Sequence, residues 1–183
     1  MQDEQELVRR AQQQDKEAFA ELYEVYFDKI YRYIVLKIGD RTEAEDMTQQ
    51  VFLKALKFLP SYKRRNVPFS AWLYRIAHNQ VVDYYRKSSR QKSCELTEAI
   101  TPDDPNENPQ QQTELKVDIE HLVKATRKLT KAQQEVIALR FSSDLPVAEV
   151  ARLMGKSEGA VKALQHSAVA ALRKILVVTE DYD

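Results

Sequence analysis

Apolar residues recur at three- and four-residue steps over most of this chain, and the runs break at a few glycines, prolines and capping residues. Asp3 to about Gln14 reads as a short helix with Leu7, Val8 and Ala11 apolar. From Lys16 to about Ile38, the positions Phe19, Leu22, Tyr23, Tyr26, Ile30, Tyr33 and Ile34 share one side of a longer helix, which Gly39-Asp40 ends. Thr42 is placed to cap a third helix, Glu43 to about Phe58. Its apolar positions are Ala44, Met47, Val51, Leu53, Ala55 and Phe58, its acids stand in the first turn, and Pro60 stops it. A fourth begins after Pro68, with Phe69, Trp72, Leu73, Ile76 and Tyr84 on one side. From Gln91 to about Thr113 the periodicity stops. The stretch CELTEAITPDDPNENPQQQT carries three prolines, several acids and almost no large apolar residue, which predicts an extended linker. Helical spacing then resumes at Glu114 to about Lys128 (Leu115, Ile119, Leu122 and Val123 inward). It continues at Lys131 to about Phe141, capped by Thr130 (Val136, Ile137, Leu139), and in two further helices after Asp144-Leu145-Pro146. The expectation is an all-α protein: two small helical domains, residues 1–90 and 114–178, joined by an extended linker, 91–113, and followed by a short tail, 179–183.

Composition agrees with this. The 183 residues are 43% hydrophobic and include only three glycines, which suits helices with a modest core in each half. Formal net charge is zero, which argues against a bulk nucleic-acid binder, but the charge is segregated. Between Tyr62 and Arg90 the only acid is Asp83. Cys94 is the single cysteine, so neither a disulfide framework nor a cysteine zinc cluster can form within the chain. No apolar run is long enough to span a membrane, and MQDEQELVRR is not a signal peptide, so a cytoplasmic protein without membrane insertion is expected.

Two stretches carry candidate chemistry. The first is FSAWLYRIAHNQVVDYYRKSSR, Phe69 to Arg90, in which Arg75, Asn79, Val82 and Arg86 lie along a face other than the core side. Just ahead of it lies the basic loop Tyr62-Lys63-Arg64-Arg65-Asn66. Cations suit phosphates, while flat rings and amides suit unstacked bases, so this combination points to single-stranded or melted nucleic acid. The second is VAEVARLMGKSEGAVKALQHSAVAALRKIL. Ala151, Gly155, Val161 and Leu164 have the spacing that two helices need to cross closely around a tight turn, and Ser157 is placed to cap the second of them. Glu158, Lys162, Ala163 and His166 are left outward near its start, where a helix-turn-helix meets base edges in a major groove.

The two halves together resemble the sigma-70 family. The first half, through EAEDMTQQVFLKAL (Glu43 to Leu56) and the Phe69–Arg90 helix, looks like region 2. The second, from LTKAQQEVIALRF (Leu129 to Phe141) through the helix-turn-helix, looks like region 4. A short chain with only a linker between them resembles the extracytoplasmic-function (ECF, group IV) sigma factors. The resemblance implies a dissociable initiation subunit of bacterial RNA polymerase, with no catalytic residue, metal or cofactor of its own. Asp46, Gln49, Gln50, Phe52 and Lys54 would dock on the clamp helices of the large subunits, with a further contact to the flap. Tyr62, Lys63, Arg64, Arg65, Asn66, Trp72, Arg75, His78, Asn79, Arg86, Lys87 and Arg90 would read and open the −10 element. Lys156, Ser157, Glu158, Lys162, Ala163, His166 and Arg173 would read the −35 element. An anti-sigma factor is the further partner implied. Three positions depart from the family's habit: Gln50 stands where an acid is usual, His78 where a base is frequent, and Ser167 where Arg is common.

The linker sets a length test. About 25 residues reach at most ~80 Å extended but only ~28 Å as a random coil. Two promoter elements one and a half to two turns apart lie roughly 50–70 Å from each other, so the linker is stretched on DNA. In the free chain, the domains can fold onto each other or onto an inhibitor. Two other classes fit parts of the chain. One is an autonomous helix-turn-helix regulator with an N-terminal sensor domain, which would bind palindromic DNA without polymerase. The other is a metal-dependent nucleic-acid enzyme using Glu43, Glu45 and Asp46, although acids at a helix start are expected for the dipole alone.

Overall fold

The computed structural model describes residues 2–63, 67–94, 122–142 and 145–180. The helices are α1 (Gln2–Gln12), α2 (Lys16–Ile38), α3 (Arg41–Phe58), α4 (Phe69–Cys94), α5 (Lys131–Ser142), α6 (Val147–Met154) and α7 (Glu158–Glu180). A 3-10 turn, Leu59–Ser61, follows α3, and residues 122–127 are also helical. No strand occurs among the described residues. The linker expected at 91–113 lies outside them, apart from its first four residues, which continue α4 as far as Cys94. Leu115 and Ile119 also lie outside.

The boundaries follow from local chemistry. Asp15 caps α2, its Oδ1 accepting from the N–H of Glu17 at 3.0 Å and of Ala18 at 3.1 Å. Gly39, at φ 74°, ends α2 in the left-handed conformation and donates to the Val35 carbonyl at 2.8 Å. The third helix starts earlier than its sequence suggests: Asp40, not Thr42, is the cap, and its carboxylate accepts from Glu43 N–H at 2.9 Å. An aspartate in extended geometry directly after a C-terminal glycine can end one helix and open the next. Thr130 and Gln133 form a reciprocal capping box at the start of α5, Thr130 N–H to Gln133 Oε1 at 3.1 Å and Gln133 N–H to Thr130 Oγ1 at 3.3 Å.

Helix α2 is the spine. It packs against α1, α3, α4 and α5, and α5 in turn packs on α6 and α7. On α3 the buried stripe is Ala44, Met47, Thr48, Val51, Phe52 and Ala55. The apolar face expected there therefore needs correction: Leu53 is 68% exposed and Phe58 49%. Leu53 is two positions from Val51, so helical geometry turns it away from the stripe.

Candidate nucleic-acid and polymerase interfaces

Helix α4 divides its residues cleanly. Phe69, Ala71, Leu73, Tyr74, Ala77 and Val81 are buried, while Arg75, Asn79, Val82, Arg86 and Lys87 are exposed. The cationic face is thus available to a polyanion, with an exposed Arg86–Asp83 pair at 3.6 Å across it. Trp72 is half-buried and packs on Tyr62 (ring centroids 4.9 Å apart) and Phe69 (5.5 Å).

Tyr62 has a different place from the one its sequence suggests. It is 8% exposed, and its hydroxyl donates to the Val67 carbonyl at 2.7 Å. Gln12 of α1 secures the same point from below, its Nε2 donating to the carbonyls of Tyr62 at 2.7 Å and Leu59 at 3.1 Å. Tyr62 is therefore a strut under Trp72, not an open platform for a base. Lys63 is exposed; Arg64, Arg65, Asn66 and the Arg90 side chain lie outside the described residues.

On α3, Asp46, Gln49, Gln50 and Lys54 are exposed beside the outward Leu53 and Leu56. Phe52 is not part of this surface. It is 4% exposed and packs on Tyr23 (4.7 Å) and Phe27 (6.2 Å), so it supports the face from within. Lys54 Nζ donates to Gln80 Oε1 at 2.7 Å, and Gln80 Nε2 donates to Gln50 Oε1 at 3.2 Å. Buried Gln80 of α4 thereby ties two surface residues of α3 to the cationic helix. No spacing or motif singles out Gln80, which reads as one polar residue in a mixed helix.

The helix-turn-helix is built from α6 and α7. Gly155, at φ 61°, donates to the Ala151 carbonyl, and so does Lys156 N–H at 2.9 Å, a reversal that closes α6. Val150, Ala151 and Val161 are buried in the angle between the helices. Ser157 Oγ accepts from Ala160 N–H at 3.2 Å, which caps α7 as expected. Lys156, Ser157, Glu158, Lys162, Ala163, His166 and Arg173 are all exposed. Ser167 accepts from Gln133 Nε2 at 3.2 Å and so tethers α7 to α5.

The two halves meet at a cluster that the sequence left unread. Glu135 of α5 reaches Lys37 Nζ of α2, receives a hydrogen bond from the Tyr33 hydroxyl at 3.0 Å, and lies 3.2 Å from His78 Nδ1 of α4. Tyr33 also lies 3.1 Å from His78 Nδ1. A carboxylate only accepts, so the His78 contact requires the proton on Nδ1. Burial alone would raise the Glu135 pKa, but the His78 and Lys37 contacts outweigh it and hold the carboxyl down to about 2. Nearby, the Tyr74 hydroxyl donates to the Ser142 carbonyl at 2.6 Å, and the Arg127 guanidinium lies directly over Gly39.

Residues 22–91 match the Sigma-70 region 2 family, and residues 126–174 match Sigma-70, region 4. The chain belongs to the sigma-70 family. Its relatives narrow the class. It is 39% identical over 171 residues to the ECF RNA polymerase sigma factor BldN of Streptomyces coelicolor, covering 93% of this chain and 65% of BldN. It is 30% identical over 184 residues to the ECF RNA polymerase sigma factor SigW of Bacillus subtilis, covering 92% of this chain and 94% of SigW. Within the family, then, the chain is an ECF RNA polymerase sigma factor. The fold is shared with CnrH in its complex with the cytosolic domain of CnrY (TM-score 0.68, 22% identity, 96% of this chain and 98% of that one). It is also shared with the sigma factor RpoE bound to the anti-sigma factor NepR from Bartonella quintana (TM-score 0.72, 23% identity, 87% and 97%).

Proposed function

We propose that this chain directs core RNA polymerase to promoters by dividing recognition between two helices. The observation that carries this is the pair of exposed readers in one chain: the cationic face of α4 (Arg75, Asn79, Arg86, Lys87) and the outward start of α7 (Lys162, Ala163, His166). The α7 face suits an intact major groove at the −35 element, and the α4 face with Trp72 suits the −10 element as it opens. The exposed strip of Asp46, Gln49, Gln50 and Lys54, with Leu53 beside it, is the surface that docks on the clamp of the large subunits. The chain contributes binding, and bond formation belongs to polymerase. We place it in the cytoplasm with that enzyme. An anti-sigma factor is the inhibitory partner, a reading supported by the complex in which RpoE is bound to NepR.

Energetics divide the labour. Unstacking costs on the order of 1.4 kcal/mol per base-pair step. One aromatic stack returns roughly 1–3 kcal/mol. With Tyr62 buried and the exposed Tyr85 tied by its hydroxyl to the Lys37 carbonyl, Trp72 is the ring offered to a base, enough for one captured base but not for a bubble. The isolated chain therefore binds promoter DNA weakly, and polymerase supplies the rest.

The test is run-off transcription from a promoter library with core polymerase. Trp72→Ala is expected to reduce permanganate-reactive open complex more than closed-complex binding. Lys162→Ala is expected to weaken upstream contact and lower the salt slope by about 0.9. Tight, specific binding to palindromic DNA without polymerase would favour an autonomous regulator and overturn the proposal.

A further inference from the structure

Glu135 occupies a site made wholly by the other half of the molecule. Tyr33 and Lys37 come from α2 and His78 from α4, while Glu135 arrives from α5, 57 residues along the chain from His78 and 102 from Tyr33. The Tyr33 hydroxyl belongs to a fully buried ring, and the Lys37 and Glu135 side chains are 11% and 13% exposed. One hydroxyl donor, one ring N–H and one ammonium converge on a single carboxylate, a donor set that suits any oxyanion. Breaking a contact of this kind leaves Lys37 without its counter-charge, which is costly unless another anion arrives.

His78 matters for what that anion is. It lies on α4 one turn from Arg75 and Val82 and next to Asn79, all exposed, so the site borders the surface on which DNA phosphates are expected. Lys37 is in the last turn of α2, whose terminal carbonyls favour a cation there, and the Tyr85 hydroxyl donates to its carbonyl, fixing its backbone against α4.

We propose that Tyr33, Lys37 and His78 form an oxyanion site on the first domain, that Glu135 fills it when the domains are closed, and that a backbone phosphate of promoter DNA replaces Glu135 when they open. This rests on the promoter-binding reading above and adds a competition to it: the closed chain and the DNA-bound chain use the same three donors. Glu135 is then an internal phosphate mimic, and domain closure withholds part of the −10 reader without covering all of it.

Two arms separate the carboxylate from the phosphate. In the free full-length chain, Glu135→Gln keeps the shape but exchanges charge-assisted hydrogen bonds for neutral ones. It is expected to shift the population toward separated domains, read by intramolecular FRET, by roughly tenfold. The affinity for a promoter duplex, read by anisotropy at low salt, rises by the same factor while the closed form predominates, because the competent fraction rises. In the holoenzyme, where the chain is already on DNA, Lys37→Gln is expected to lower the slope of log affinity against log salt by about 0.9, one phosphate contact. Should Glu135→Gln lose helix content, Glu135→Asp serves instead: it keeps the charge, is one methylene too short to reach all its partners, and is expected to open the chain partly. Unchanged FRET and DNA affinity in a folded Glu135 variant would overturn the carboxylate half. An unchanged salt slope for Lys37→Gln would overturn the phosphate half. Wild-type chain that fails to support run-off transcription would instead sink the promoter reading itself.

Discussion

Tyr74→Phe removes one oxygen atom and should report on domain closure more than on the fold. The Tyr74 ring is fully buried in α4 and meets Tyr33 edge-on at 5.6 Å, contacts that phenylalanine keeps. What it loses is the 2.6 Å hydrogen bond to the Ser142 carbonyl, in the last turn of α5. A carbonyl there has no partner within its own helix, so the hydroxyl of one domain completes the helix end of the other. Leaving such a buried acceptor unpaired costs about 1–3 kcal/mol. In the open chain, water satisfies both groups, so the cost falls on the closed form alone. About 1 kcal/mol already changes the open-to-closed ratio roughly fivefold. The assay is FRET between dyes on Glu24→Cys and Ala170→Cys, both exposed positions, in a Cys94→Ser background, with thermal melting of the same proteins. The expected result is a larger open population with little change in helix content. A lower melting temperature with an unaltered FRET distribution would refute the reasoning, because the hydroxyl would then be serving the fold rather than the closure.

Three further outcomes follow from single contacts. Gly155→Ala adds a methyl that meets nothing within 4 Å, so only the left-handed backbone resists it. A cost of about 1 kcal/mol is expected, read as a melting temperature lower by a few degrees with the helix-turn-helix intact. Gln80→Leu cuts Lys54 and Gln50 loose from α4. At about 0.5 kcal/mol for each of these two exposed-face hydrogen bonds, core polymerase affinity measured by surface plasmon resonance should fall roughly fivefold while the fold holds. Glu135 has a folded pKa of about 2 against an ordinary 4.5, so its contribution to closure is fully present above 4.5 and is lost as pH falls toward 2. Lys37, His78 and Tyr33 face it, with Tyr85 and Arg127 nearby. Acid-induced opening, read by FRET, is expected to follow the Glu135 carboxylate.

The helix-turn-helix was legible because its constraints are local: a small residue, a turn glycine and apolar residues at fixed steps can be checked by counting. The cationic face of α4 was legible for the same reason, since Arg75, Asn79 and Arg86 fall at helical spacing and are exposed. Tyr62 and Phe52 were misplaced because an aromatic beside basic or polar residues looks equally suited to a partner and to a core. Only the tertiary neighbours, Trp72 and Phe69 for one and Tyr23 and Phe27 for the other, decide between them. The Glu135 cluster joins α2, α4 and α5 across a long separation, and no spacing rule brings such residues together. One signal did exist. Tyr33-Ile34-Val35-Leu36 and Val136-Ile137-Ala138-Leu139 are runs of four successive apolar residues within helices, and all eight are buried. A helix can bury four consecutive residues only if it is covered on several sides, which marks α2 and α5 as the elements between the two halves.

Zero net charge and a closed form have a common physical origin in this chain. Between Tyr62 and Arg90 it carries seven cations against one acid, while the linker, 91–113, carries five acids against one lysine. A cationic face without DNA sits in a solution of small ions, which screen it over about 8 Å at physiological ionic strength. A tethered carboxylate competes well against those ions, because linkage holds it at an effective concentration near the millimolar range without loss of a second molecule's freedom. Promoter DNA held by polymerase competes better still, since it offers many phosphates in register and releases its condensed counterions as they are neutralised. The ordering free ions, then Glu135, then polymerase-bound DNA gives a neutral chain that stays off bulk nucleic acid yet binds a promoter once polymerase presents it. A strongly basic chain would lose the middle step, since no single carboxylate could hold so large a cationic surface closed against non-specific DNA.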